Sequence, residues 1–163
     1  MRRLRKFLAL PAGERRLLLS AALGLIAMRL GLWLLPFRTM LRLPLKVALR
    51  REPKLAGTRR PPEKVGWAVH VAGRYVPGGR NCLVQALTAQ FLLTRWGHPA
   101  SLHIGVATVK DDTGRFHAHA WVESRGKIVT GGGGLSEYTE LVSFPTSLGR
   151  EGVHAPIQGE HLP

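Results

Sequence analysis

Between Pro77 and Glu123 the chain carries one sharply punctuated helix followed by a pair of alternating strands, and few folds accommodate that order in a short chain. The breakers Pro77, Gly78 and Gly79 lead to Asn81, a favoured N-cap type. Leu83, Ala86, Leu87, Gln90, Phe91 and Leu93 then recur at helical spacing until Gly97 and Pro99 end the pattern. The spacing predicts a helix whose first residue is Cys82. Leu102, Ile104 and Val106 alternate with His103, Gly105 and Ala107, which predicts a strand. KDDTG at 110–114 is a polar turn, and 116–123 predicts the return strand. One helix followed by an antiparallel hairpin predicts an α+β domain.

Cys82 is the one cysteine of the chain. At a helix start its sulfur lies in the positive end of the helix dipole, where free backbone N–H groups stabilise a thiolate or an oxyanion. A cysteine serving only as a small buried hydrophobe sits more often within a helix. On the return strand Phe116, Ala118, Ala120 and Val122 share one face, while His117, His119, Trp121 and Glu123 share the other. A distant histidine on a strand can serve a thiol as base, so the pattern points to hydrolysis or acyl transfer at a carbonyl. His117 and His119 are two residues apart, about 7 Å along a strand, so only one of them can meet Cys82 well. Trp121 and His117 are candidate walls for a substrate.

Nothing in the spacing calls for a metal or another cofactor: the chain has no H-E-x-x-H, no C-x-x-C and a single thiol. A single thiol also means no disulfide framework, which makes a reducing, cytoplasmic setting the expectation. Twenty-four basic residues against ten acidic ones give a formal charge of +14, concentrated towards the N-terminal third. Such a field attracts acidic partners. No zinc-finger spacing or basic stripe interleaved with aromatics marks a nucleic-acid binder, so none is expected.

The chain divides into a basic, hydrophobic helical segment with a linker over 1–64, a catalytic domain over 65–144 and a loosely ordered tail over 145–163. Leu17 to Leu35 is apolar enough to cross a membrane, but Arg29 falls inside it and would be costly in hydrocarbon. One or two helices packed on the domain or on a partner are therefore favoured, with membrane association as the alternative. Pro36 and Pro44 punctuate them, Leu41 to Leu49 forms a short second helix, and a further helix at about 65–75 precedes Cys82.

The run NCLVQALTAQFLLTRWGHPASLHIGV followed by FHAHAWVESRGKIV resembles the transglutaminase-like cysteine peptidase domain of lasso peptide biosynthesis B proteins, in their stand-alone leader-peptidase form. The likeness runs from about Val65 to Val129, and the arginine-rich apolar segment near the N-terminus resembles theirs. The resemblance implies a papain/transglutaminase-like fold, a nucleophilic Cys82 and His119 as its base. It implies a cysteine peptidase that removes the leader from a ribosomally made precursor. The partners implied are the precursor leader peptide, a small leader-recognition protein and an ATP-dependent macrocyclase. A non-catalytic scaffold that binds the leader or the macrocyclase is the alternative.

The same resemblance leads one to expect a carboxylate on the following strand to orient the histidine, where this chain reads IVTGGGG at 128–134. Glu123 is four residues from His119, about 13 Å along a strand, and out of reach. With Arg125 and Gly126 at the tip of a tight turn, Thr130 is expected opposite Trp121 and diagonal to His119, as a weak orienting group. Glu137 and Glu140 are the next candidates.

Overall fold

A computed structural model describes residues 9–49, 61–107 and 117–146. Most of the expected linker, the turn at 110–114 and the tail beyond 146 lie outside the described residues.

Prolines set the boundaries of the N-terminal helices. Helix α1 (Ala12–Leu34) starts directly after Pro11 and ends where Leu35 turns extended, φ −126° and ψ 148°, as a residue before proline prefers. Helix α2 (Phe37–Leu49) starts directly after Pro36, earlier than the expected Leu41. It also runs through Pro44 rather than stopping there. The fixed φ of proline is itself helical, and what is lost is the N–H that Met40 would otherwise receive. Helix α3 (Pro62–Gly73) opens with proline in its first turn, and α4 spans Cys82–Arg95.

The strands are β1 (Ser101–Ala107), β2 (Ala118–Ser124), β3 (Lys127–Thr130) and β4 (Tyr138–Pro145), the last preceded by a short 3-10 turn at Leu135–Glu137. All pairings are antiparallel in the order β3-β2-β1-β4. Strand β4 was not anticipated from sequence, although Tyr138, Glu140, Val142 and Phe144 alternate with Thr139, Leu141 and Ser143. It pairs with β1 at the edge opposite β3, so the glycine-rich stretch 131–134 carries the chain across the end of the sheet.

One face of the sheet packs on α4 and α3, burying Leu102, Ala120 and Val122. Helix α1 lies on α3 and α4 and adds Leu17, Ala21, Leu25 and Met28 to the same core; Met40 of α2 joins it. Residues on both sides of position 64 therefore share one core. Buried Thr88 and Thr94 donate their hydroxyls to carbonyls one turn back, Val84 O at 2.7 Å and Gln90 O at 2.8 Å, so neither leaves a polar group stranded.

Helix α3 crosses β3 at Gly66, where a Cβ would collide with the Val129 carbonyl oxygen. That contact is with backbone, which cannot swing aside. Gly66→Ala is expected to cost about 1–3 kcal/mol by overpacking. A lower urea midpoint at unchanged slope would report it, and an unchanged midpoint would contradict so close a crossing.

Candidate active site

The loop entering α4 is turned by Gly78, at φ +69°, and braced by the Gln85 side-chain amide, which donates to Gly79 O at 2.7 Å. Asn81 is extended, and its Oδ1 accepts from the backbone N–H groups of Leu83 (3.0 Å) and Val84 (3.2 Å). The cap thus satisfies two of the free N–H groups of the first turn. Cys82 is the first helical residue, a half-buried free thiol whose own N–H has no intrahelical acceptor.

Strand β2 brings His119 to the same place. Cys82 and His119 both line a cleft of about 340 Å³, together with His70, Arg80, Gln85, Ala120, Thr130 and Gly131. No carboxylate is among these residues. His70 accepts at Nε2 from Arg74 at 3.3 Å, so the mouth of the cleft carries basic groups from α3 and from the loop before α4.

The orienting partner of His119 is a backbone group. Its Nε2 lies 2.8 Å from Gly131 O, and a carbonyl can only accept, so Nε2 carries the hydrogen and Nδ1 is left as the acceptor. The carbonyl stands where a carboxylate was expected. A bulge between Val122 and Glu123 shifts the β2–β3 register, so Thr130 pairs with Val122 and not with Trp121. Thr130 is buried and lines the cleft, but no contact assigns its hydroxyl to His119. Gly131 follows at φ +79°, with its Cα so close to β2 that a Cβ would lie 2.7 Å from Ala120 O and 2.8 Å from Trp121 Cβ.

Rings pack around the histidine. Trp121 stacks on it at 6.3 Å between centroids, and Tyr138 from β4 tilts against it at 4.9 Å. Trp121 also stacks on His103 at 5.5 Å and is only 8% exposed, so it supports the His119 ring where a substrate wall had been expected. His117 is exposed at the entrance to β2 and is not among the residues lining the cleft. Glu140 is taken by His103, Nδ1 to Oε1 2.9 Å, and Glu123 lies 4.0 Å from the other nitrogen of that ring. Glu137, in the 3-10 turn, is not among the cleft residues either.

Sequence reasoning missed four participants: the Gly131 carbonyl, Gln85, Arg80 and Tyr138. A backbone acceptor has no residue-type signature, and Tyr138 becomes visible only once β4 is read as a strand. Among the described residues no group of three His, Cys, Asp or Glu is placed to hold a metal ion.

The family described as the transglutaminase-like superfamily matches residues 22–143, from within α1 to within β4. Neither a curated protein nor a solved structure matches the chain.

Proposed function

Because this chain belongs to the transglutaminase-like superfamily, in which cysteine peptidases and acyl transferases are common, we propose that it is a cysteine peptidase acting through Cys82 and His119. The observation that carries the reading is the meeting of the thiol at the α4 N-terminus and the oriented imidazole of β2 in one cleft. His119 Nδ1, the ring nitrogen left as acceptor, takes the thiol proton. The thiolate attacks the scissile carbonyl carbon, and the carbonyl electron pair moves to oxygen, where the Cys82 N–H and the positive helix end receive it. Collapse breaks the C–N bond, and His119 returns the proton to the leaving amine. A water deprotonated by His119 then attacks the thioester, releasing the acid and the thiol.

As substrate we propose the leader of a ribosomally made lasso peptide precursor, cut with the help of a small leader-recognition protein and upstream of an ATP-dependent macrocyclase. The likeness of Val65 to Val129 to the stand-alone leader peptidases supports this reading. The test is to incubate the purified chain with its precursor, with and without the recognition protein, and read the products by mass. Two fragments summing to the precursor plus water are expected. An intact precursor in both arms, with Cys82 still alkylatable, would favour the second reading of a non-catalytic scaffold. One observation keeps that reading in view: the acceptor on His119 is a neutral carbonyl, which stabilises an imidazolium less than a carboxylate does.

The carbonyl cannot be deleted, but it can be displaced. Gly131→Ala places a side chain against β2 at a positive φ, so the 131–134 stretch must move and carry the carbonyl off Nε2. We expect kcat to fall on the order of 10²-fold with KM little changed, since orientation of the base matters most in the transition state. Thr130→Ala should keep most of the activity. Equal losses at the two positions would transfer the orienting role to the Thr130 hydroxyl.

A further inference from the structure

Helix α1 has two apolar faces, and the protein uses one. Leu17, Leu18, Ala21, Leu25 and Met28 are buried in the core. On the opposite side Leu19, Leu23, Ile26, Leu30 and Trp33 recur at intervals of four, three, four and three residues, forming a continuous stripe. Their exposure ranges from 44% at Ile26 to 84% at Trp33, and Leu34 prolongs the stripe at 69%. An exposed apolar surface of this extent marks an interaction site.

The charges around the stripe choose between occupants. Residues 15–49 contain six basic residues and no acidic one. Exposed Arg16 stands three residues before Leu19 at one end of the stripe, while exposed Arg38 and Arg42 of α2 line a cleft with Gln90 of α4 and the end of β4. A second copy of the chain would bring another +14 charge against this one. An anionic surface meets Arg16 at one end of the stripe and apolar side chains beyond it, on a segment with no acidic residue, and Trp33 closes the other end with an amphipathic ring that suits a headgroup boundary.

Length and composition would let α1 cross a bilayer. Its other face prevents that, because a spanning α1 would have to leave α3 and α4 and strip five residues from the core. We propose that α1 lies in the plane of an anionic bilayer surface, its stripe from Leu19 to Trp33 in the headgroup boundary and the protein body above it.

The experiment mixes the full chain with vesicles of phosphatidylcholine alone or with about a third phosphatidylglycerol, at low and high salt, and reads co-sedimentation. Binding is expected with the anionic vesicles and should weaken with salt. Leu23→Gln/Leu30→Gln should lower partitioning about tenfold or more, with the circular dichroism and the Cys82 alkylation rate unchanged. In the wild-type chain, brominated phosphatidylglycerol vesicles should quench fluorescence that Trp33→Phe removes. That readout does not depend on the folding of the double variant.

Three results would overturn the proposal: equal binding by the double variant, absence of Trp33 quenching, or a concentration-dependent dimer lost in the double variant with no lipid binding. The last would assign the stripe to a second copy. None of these outcomes depends on peptidase activity.

Discussion

Cys82→Ala is expected to abolish peptide cleavage, by at least about 10³-fold, while leaving the fold in place. In the proposed reaction the loss is chemical, because alanine keeps the N–H at the helix start but removes the atom that would form the thioester. The fold survives because the features defining this helix start lie elsewhere. Asn81 Oδ1 caps Leu83 and Val84, Gln85 braces Gly79, and neither contact touches the thiol. The half-buried thiol does pack against the core, so a small drop in denaturant midpoint accompanies the loss. Mass-resolved cleavage of the precursor by a preparation free of wild-type protein checks the prediction. Retention of a tenth of the wild-type rate or more would end the cysteine-peptidase reading.

His119→Ala is expected to cost nearly as much, because a thiol and its base act as one unit and the loss of either removes most of what the pair supplies. It should also slow alkylation of Cys82 near neutral pH, since the variant lacks the group proposed to accept the thiol proton. His117→Ala is the matched control. It removes the same side chain two residues away, just before the strand and outside the cleft, and should change the rate by no more than about threefold. Single-turnover cleavage and the pH profile of alkylation separate the two. Comparable losses at both histidines would falsify the assignment of the base to His119.

Deleting residues 1–35 would remove α1 and with it Leu17, Leu18, Ala21, Leu25 and Met28 from the core, so a loss of activity would report unfolding rather than lost docking. Substitutions confined to the outer stripe leave that core intact.

The amino-acid sequence alone determined what is local. The Pro77-Gly78-Gly79 break, the Asn81 cap and the apolar spacing from Leu83 to Leu93 placed Cys82 at a helix start, because turn chemistry, cap hydrogen bonds and helical period act over a few residues. Alternation placed His119 on a strand paired with 101–107, and Arg125-Gly126 sits at positive φ at the tip of the next hairpin. Tertiary structure decided what depends on register and on contacts between distant segments. A single bulged residue moved Thr130 from opposite Trp121 to opposite Val122, since strand faces alternate at every residue. The position of β4 beside β1 sent Glu140 to His103 and drew the 131–134 stretch across the sheet end, so that a glycine carbonyl meets His119. Composition marks α1 as apolar on both faces, but only its packing on α3 and α4 selects the face that is buried and the face left exposed.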